Sequence, residues 1–198
     1  MANVDSPFGL RPVRFNDEDV NIYYVNDSTN AVYIGDPVFA SGSADANGIQ
    51  EVNRAGTIAD ATPSNNTPIV GVVVGFASDK AGTQLRDDAR YVAAGSTSYA
   101  LVCDNPDVVF EIQEDSVGGA LAATAVGANY NFTTTAGSTV SGLSGVEIDS
   151  SDTSDNTSPY AALRIKGLAR RPDNEIGTNA KWEVQIVHHQ SRAGAAGV

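Results

Sequence analysis

Alternating apolar and polar positions mark two strands within residues 99–115, YALVCDNPDVVFEIQED. Between them lies Asp104-Asn105-Pro106-Asp107, and an Asn-Pro step favours an extended residue followed by a turn. Opposed residues of an antiparallel pair share a face. A turn here would therefore put three apolar pairs on one face: Cys103 with Val108, Leu101 with Phe110, and Tyr99 with Ile112. The pattern predicts an antiparallel hairpin with that face buried and with Ala100 and Glu111 on the other face.

The segment 69–76, IVGVVVGF, is apolar at nearly every position. A strand with two apolar faces lies in the middle of a sandwich or barrel, or contacts another subunit. Its two glycines, Gly71 and Gly75, indicate a bend or a close approach of another backbone.

Shorter strands are predicted elsewhere along the chain. Residues 22–25 and 31–34 flank a polar turn and suggest a second hairpin. In the last segment, apolar and polar residues alternate with the period of a strand, which predicts one buried face. The remaining strand segments are 38–40, 49–52, 91–94, 163–166 and 182–188. In the last two, the residues that share one face are Leu163 and Ile165, and Trp182, Val184, Ile186 and His188.

Helical signals are weak. No window keeps a helical period beyond about two or three turns; residues 85–90 could form one helical turn, and residues 118–127 a short helix or a loop. Nineteen glycines and abundant Ser, Thr, Asn and Asp favour strands joined by many turns. The sequence predicts an all-β protein: a compact barrel or sandwich with an extended N-terminal arm and little helix.

The expected organisation is an arm (1–16), a single β domain (17–190) and a flexible tail (191–198). Within the domain, residues 128–158 are rich in Thr, Ser, Gly and Asp, and form either a protruding loop or the thin strands of an outer lobe. Two prolines favour an extended path for the arm. Its apolar residues should lie against the arm's own domain or, as we favour, against a neighbouring subunit.

The net charge of −12 disfavours two classes of binding partner. It argues against nucleic acid, which needs clustered Lys and Arg, and against anionic membranes. No apolar run approaches the roughly 20 residues of a membrane span, and the first residues lack the apolar core of a secretory signal. Cys103 is the one cysteine, so no intrachain disulfide is possible, and we expect it to be a buried reduced thiol.

The charge is unevenly distributed. Residues 91–163 carry nine acidic groups and no Lys or Arg, whereas residues 164–198 carry six basic and three acidic groups. This is either a set of solvated turns or a molecule with a wet acidic face and a less acidic docking face.

No catalytic constellation stands out. The two histidines, His188 and His189, are adjacent and would point to opposite faces of a strand. Asp149, Asp152 and Asp155 superficially suggest calcium but lack the EF-hand spacing, so neither a metal nor another cofactor is expected. A paired-carboxylate hydrolase stays open as a minor alternative, and it would need two buried carboxyl groups converging in a cleft.

Several short motifs together resemble the head decoration, or cement, proteins of tailed bacteriophages, which are encoded beside the major capsid protein. The motifs are PFGLRP in the arm, GDPV at 35–38, the 99–115 stretch, VSGLSGVEID at 140–149 and RPDNEIG at 171–177. The resemblance touches most of the chain, but its motifs are structural rather than chemical.

The resemblance implies a homotrimer that binds the major capsid protein on the outer surface of the expanded virion, after synthesis in the host cytoplasm. It implies no enzymatic activity, no cofactor, and no contact with nucleic acid or membrane. The candidate capsid or neighbour contacts are Pro7, Phe8, Leu10, Arg11, Pro12, Arg14 and Phe15. The candidate inter-subunit contacts are Val72, Val74, Phe76, Arg170, Arg171 and Trp182.

The alternative function is a surface-displayed module that recognises carbohydrate or a host surface. Loops 41–68 and 128–158 would carry that recognition, although Tyr130 and Phe132 are their only aromatic residues.

Overall fold

The computed structural model describes residues 3–57, 67–82, 84–85, 90–152 and 161–192. Within those ranges the regular structure is almost entirely β, which confirms the predicted fold class. Two short 3-10 helices, Asp17–Asp19 and Ala123–Ala125, interrupt the strands. The strands are β1 Arg11–Pro12, β2 Val20–Val25, β3 Val32–Tyr33, β4 Pro37–Ala44, β5 Gln50–Arg54, β6 Ile69–Ala77, β7 Tyr91–Val92, β8 Ser98–Cys103, β9 Val109–Gln113, β10 Asn129–Tyr130, β11 Phe132–Thr135, β12 Gly145–Ile148, β13 Leu163–Leu168 and β14 Lys181–Ile186.

Five strands close into a barrel in the order β2-β5-β4-β6-β8. Only β2 and β5 run parallel; the other neighbours, including the closing pair β8 and β2, are antiparallel. Small and β-branched side chains fill the interior because a five-stranded barrel leaves little room inside. The buried interior residues include Val25, Val38, Val52, Val70, Val73, Phe76, Ala100 and Val102.

A five-stranded sheet, β1-β9-β14-β13-β10, packs with the pair β11-β12 around a second core. Trp182, Phe110 and Phe132 are the largest side chains buried there. Strand β6 takes part in both cores: Val70 and Val73 face the barrel interior, whereas Ile69 and Val72 face the second core. This confirms the prediction that the 69–76 strand is apolar on both faces because both are buried.

The glycines of β6 have the predicted roles. A Cβ at Gly71 would lie 2.3 Å from the Cys103 carbonyl oxygen, so only glycine allows β8 to approach this closely. At Gly75 the pairing of β6 with β8 shifts its register, which bends the strand.

The predicted hairpin of residues 99–115 is wrong. Strand β8 is paired on both sides, by β2 and β6 of the barrel, whereas β9 joins the sheet between β1 and β14. The loop between them therefore connects two sheets. The buried face of β8 was assigned wrongly for Tyr99 and Leu101, which are half-exposed while Ala100 and Val102 are buried; the inward assignment of Cys103 is confirmed. The inward assignment of Phe110 and Ile112 in β9 is confirmed.

The second predicted hairpin is wrong for the same reason. Strand β2 pairs with β5 and β8, whereas β3 pairs with β7, so the two segments belong to different sheets. The buried face predicted for the last two strands is confirmed for Leu163, Ile165, Trp182, Val184 and Ile186. His188, the last residue of the predicted alternation, lies beyond the end of β14 and is half-buried.

Residues 128–152 contribute three strands to the body of the protein. Their apolar side chains are buried in the second core, namely Tyr130, Phe132, Val146 and Ile148. Residues 153–158, most of the helical turn proposed at 85–90 and the tail beyond residue 192 lie outside the described residues. The 118–127 segment forms one 3-10 turn, Ala123–Ala125, within a loop. No helix in the described ranges is long and apolar enough to cross a bilayer.

Candidate functional site: the arm and the two grooves beside it

From residue 3 to residue 16 the arm runs along its own domain. In β1, Arg11 lies opposite Glu111 of β9, and the Leu10 side chain is buried in the second core. The Leu10 N–H donates to the Gly35 carbonyl oxygen at 2.9 Å. Of the two courses considered for the arm, the structure shows the one along its own domain; the favoured contact with a neighbouring subunit stays a prediction.

A carboxylate held by two arginines fixes the middle of the arm. The Arg11 guanidinium donates to Glu111 at 2.8 Å and the Arg171 guanidinium at 3.0 Å. Arg11 also lies 4.6 Å from the centre of the Phe8 ring, within cation–π range. Hydrogen bonds to Asp173 and to Glu111 raise the pKa of Arg171. The triad joins the arm to β9 and to the loop after β13, so Arg171 fixes the arm within one chain.

A shared amide holds the start of the arm. The Gln113 side-chain amide donates to Asp5 at 3.0 Å and to Glu147 at 2.9 Å, and its oxygen accepts the Ser6 N–H at 3.1 Å. Burial raises the pKa of Glu147 to about 7; the hydrogen bond from Gln113 opposes this rise, and the charges of Asp5 and Asp115 add to it. The arm contact is therefore sensitive to the protonation of Glu147.

The turn beneath the arm is built on a buried aspartate. Asp36 accepts the Tyr33 N–H at 2.8 Å and the Ser144 hydroxyl at 2.6 Å. Asp36 also forms an ion pair with Arg54, whose Nε lies 3.0 Å from Asp36 Oδ2. Burial raises the pKa of Asp36, and Arg54 opposes that rise. This network sets the position of Gly35, which receives the arm.

An apolar groove of about 320 Å³ opens between the arm and the barrel, and we name it the arm groove. Phe15 and Leu143 remain 47% and 37% exposed there. Exposed apolar side chains gathered around a concavity are typical of a binding surface. The apolar lining is Phe8, Leu10, Pro12, Phe15, Ile34, Val73, Val74 and Leu143.

A second groove, of about 540 Å³, carries charges of both signs, and we name it the charged cleft. Its apolar lining is Val13, Val108 and Val109, and its charged lining is Arg14, Asp19, Asp107, Arg170 and Glu183. A neighbouring groove of about 600 Å³ shares Arg170 and Glu183 with the cleft and adds Lys166 and Arg171. Arg14 and Arg170, two of the predicted contact residues, are exposed.

Three predicted inter-subunit residues are core residues. Val72 and Trp182 are 0% exposed and Phe76 is 3% exposed, so no surface remains on them for a partner, and the prediction is wrong for these three. Leu10 is excluded as a capsid contact on the same ground. Val74 is half-exposed in the arm groove, and the remaining candidates, Pro7, Phe8, Arg11, Pro12, Arg14, Phe15, Arg170 and Arg171, keep at least part of their surface.

Acidic residues between 91 and 163 are less exposed than the sequence suggested. Glu111, Glu114 and Asp152 are buried. Glu114 accepts the Trp182 indole N–H at 3.1 Å, and burial raises its pKa. Asp152 accepts the Asn131 side-chain amide at 2.8 Å. Assigning these three carboxylates to solvated turns or to a wet acidic face is therefore wrong.

The arrangement offers little to catalysis. Asp5 and Glu147 converge on one amide, but Asp5 is exposed, so the pair lacks the water-shielded cleft that a paired-carboxylate hydrolase requires. Burial lowers the pKa of His189 to about 4, which keeps it neutral at pH 7. Among the described residues, no three His, Cys, Asp or Glu are placed to hold a metal ion; Asp155 lies outside them.

Comparison with known proteins adds no family. No family model matches the chain, and no curated protein matches it either. The function must therefore be argued from the residues themselves.

Sequence reasoning missed the arm groove and the buried ion pair. The groove joins Phe8, Val74 and Leu143, which are far apart along the chain. The Asp36–Arg54 pair joins the turn before β4 to the end of β5, and these residues lie 18 positions apart along the chain. The one available signal was the pair of motifs PFGLRP and GDPV, which meet at Gly9 and Gly35.

Proposed function

We propose that the protein is a homotrimeric decoration protein that binds the outer surface of an expanded phage head and bridges neighbouring subunits of the major capsid protein. The arm groove carries the proposal, because it presents apolar side chains on a frame that the arm itself completes. The motifs that carry the resemblance support it, since PFGLRP and GDPV form the two walls of one contact.

The frame of the groove is rigid enough for binding without reordering. Leu10 anchors the arm in the core, and the Arg11–Glu111–Arg171 triad fixes it on the sheet. A preorganised surface loses less conformational entropy on binding than a free tail would. Phe15 then serves as the main apolar contact, and burying the rest of its ring contributes about 1 kcal/mol.

Contacts of that size suffice for a cement protein. A trimer that holds three such surfaces binds the first and then places the others at high effective concentration, so modest contacts multiply. A ligand that binds only the expanded shell also stabilises that shell by mass action. The role is adhesion, and we assign no catalytic residue.

The charge of the chain suits an outward-facing position. At a net charge of −12, contact with packaged DNA is unfavourable because phosphates need cations. The location proposed is therefore the outer surface of the virion, with synthesis in the host cytoplasm.

Two buried side chains argue against the alternative of a carbohydrate-binding module. Tyr130 and Phe132, the aromatic residues on which it relied, are buried in the second core and cannot stack on a sugar.

The test is binding of a Phe15→Ser variant to purified expanded heads. Deletion of residues 2–15 is a poor test, because it also removes the core residue Leu10. Ile176→Ser is the matched control, since Ile176 is 49% exposed and lies outside the lining of the arm groove. We expect Phe15→Ser to weaken attachment about fivefold or more, with normal folding, and Ile176→Ser to bind like the wild type. Equal attachment of both variants would remove the arm groove from the proposal.

A further inference from the structure

We propose that the charged cleft is the contact between copies of this chain, with the acidic turn of one copy packed against the basic rim of the next. The acidic turn is Asp17 and Glu18 of the first 3-10 helix. The basic rim is Arg14, Lys166 and Arg170. The inference deepens the proposed function, on which it rests for the number of subunits, by naming the surfaces through which they associate.

The basic rim consists of exposed cations. Arg14, Lys166 and Arg170 are exposed and make no ion pair within the described parts of the chain. Arg171, by contrast, is already committed to Glu111 and Asp173. Arg14, Lys166 and Arg170 lie around two adjoining grooves, and together they form a surface complementary to anions.

The acidic turn is held in place and points to solvent. Asp19 accepts the Asn16 N–H at 2.7 Å, and the Asp104 N–H donates to the Asp19 carbonyl oxygen at 3.0 Å. These bonds tie down the 3-10 helix, while Asp17 and Glu18 remain exposed and make no ion pair with any described residue. The turn is therefore a preformed anionic surface.

Both charged surfaces border one apolar strip. Val13 is 44% exposed and lines the cleft together with Val108 and Val109. An apolar centre with a charged rim is the usual anatomy of a protein–protein interface. Asp19, beside the acidic turn, and Arg14 and Arg170 of the basic rim all line this cleft.

Other copies of this chain are the occupant that satisfies both surfaces: one neighbour meets the acidic turn and another meets the basic rim. The unpaired anions and the unpaired cations of one chain do not pair with each other, but each set finds its complement on another copy. In a closed trimer such a contact is head-to-tail: each subunit offers its acidic turn to one neighbour and its basic rim to the other.

The test uses two charge-reversed variants of the full chain. One carries Asp17→Lys and Glu18→Lys, and the other carries Lys166→Glu and Arg170→Glu. We expect each alone to associate at least about tenfold more weakly than the wild type, because like charges then face each other. A third variant, which carries both pairs of substitutions in one chain, has opposite charges at every contact of a head-to-tail trimer, so we expect its association to return, measured by sedimentation velocity.

A control and a second readout make the result decisive. Lys80→Glu reverses an exposed charge outside the cleft lining and should associate like the wild type. Circular dichroism and thermal unfolding check that all variants are folded. The proposal is overturned if both charge-reversed variants assemble normally, if combining their substitutions in one chain restores nothing, or if only head binding is lost while assembly persists, since the cleft would then contact the capsid. Failure of the wild type to bind heads would instead refute the proposed function and leave the assembly result standing.

Discussion

Gly9 and Gly35 meet backbone to backbone, and each has a positive φ, +72° and +93°. A Cβ on Gly9 would lie 2.4 Å from the Gly35 carbonyl oxygen, and a Cβ on Gly35 would lie 2.4 Å from the Phe8 carbonyl oxygen. The arm and the turn before β4 can therefore touch only where both residues are glycine.

This contact predicts a cost for Gly9→Ala that exceeds the backbone cost alone. A non-glycine residue at positive φ costs about 1 kcal/mol, and the clash with a carbonyl adds strain that the buried Leu10 prevents the arm from relieving. We expect a loss of about 2–4 kcal/mol in the free energy of unfolding, measured by urea denaturation. Gly42→Ala is the control, because Gly42 has φ +82° with open space around it; equal losses for both variants would contradict the clash.

The buried ion pair predicts a large effect of Asp36→Ala. Removing the carboxylate leaves the Arg54 guanidinium uncompensated in a buried site and removes the acceptor of the Tyr33 N–H. Loss of one partner of a buried pair costs about 3–5 kcal/mol. For comparison, Asp107→Ala breaks the exposed pair with Arg192 and should cost less than about 1 kcal/mol. Similar losses in denaturant titrations of the two variants would show that the Asp36 pair is not buried in solution.

The raised pKa of Glu147 predicts a pH-dependent contribution to stability. Because the folded protein binds this proton more tightly than the unfolded chain, the contribution is fully present below about pH 4.5 and is lost as the pH rises through about 7. Glu147→Gln keeps an acceptor for Gln113 but cannot ionise. We expect its melting temperature relative to the wild type to rise between pH 5 and pH 8, with Glu18→Gln as an exposed control. A difference independent of pH would contradict this.

The environment of Cys103 predicts an inert thiol. Burial, with the charges of Asp19 and Asp104, raises its pKa to about 12, and reaction requires the thiolate. We expect Cys103 to react with a disulfide reagent at pH 8 only when denaturant unfolds the protein. Rapid stoichiometric labelling of the native protein would show that the barrel opens at this strand. The prediction of a buried reduced thiol is already confirmed by its position.

The sequence predicted which face of a strand is buried better than it predicted which strands pair with each other. Alternation identified the buried sides of β9 and β14, because a side chain's face depends only on its own strand. The partner of β8 is decided by strands more than 20 residues away, β2 and β6, and no local signal in the Asn-Pro turn distinguishes a hairpin from a crossing between sheets. The two predicted hairpins failed for this reason.

The candidate site divides in the same way. The arm residues Phe8, Arg14 and Phe15 keep exposed surface, which a contact role needs, and their contact with a partner stays a prediction. Val72, Phe76 and Trp182 were assigned to an interface because an apolar strand in the core and one at an interface share the same pattern. Phe76 is buried inside the barrel, whereas Val72 and Trp182 are buried in the second core, which forms only when the sheet packs on the barrel.

The role that we propose for the protein is adhesion to an expanded capsid. Its most direct test is co-sedimentation of the purified protein with expanded heads and with unexpanded heads of the same phage. We expect saturable binding to expanded heads, with a number of bound copies that is a multiple of three. We expect binding to unexpanded heads to be at least about tenfold weaker. Equal binding to both forms, or no binding to expanded heads, would contradict it.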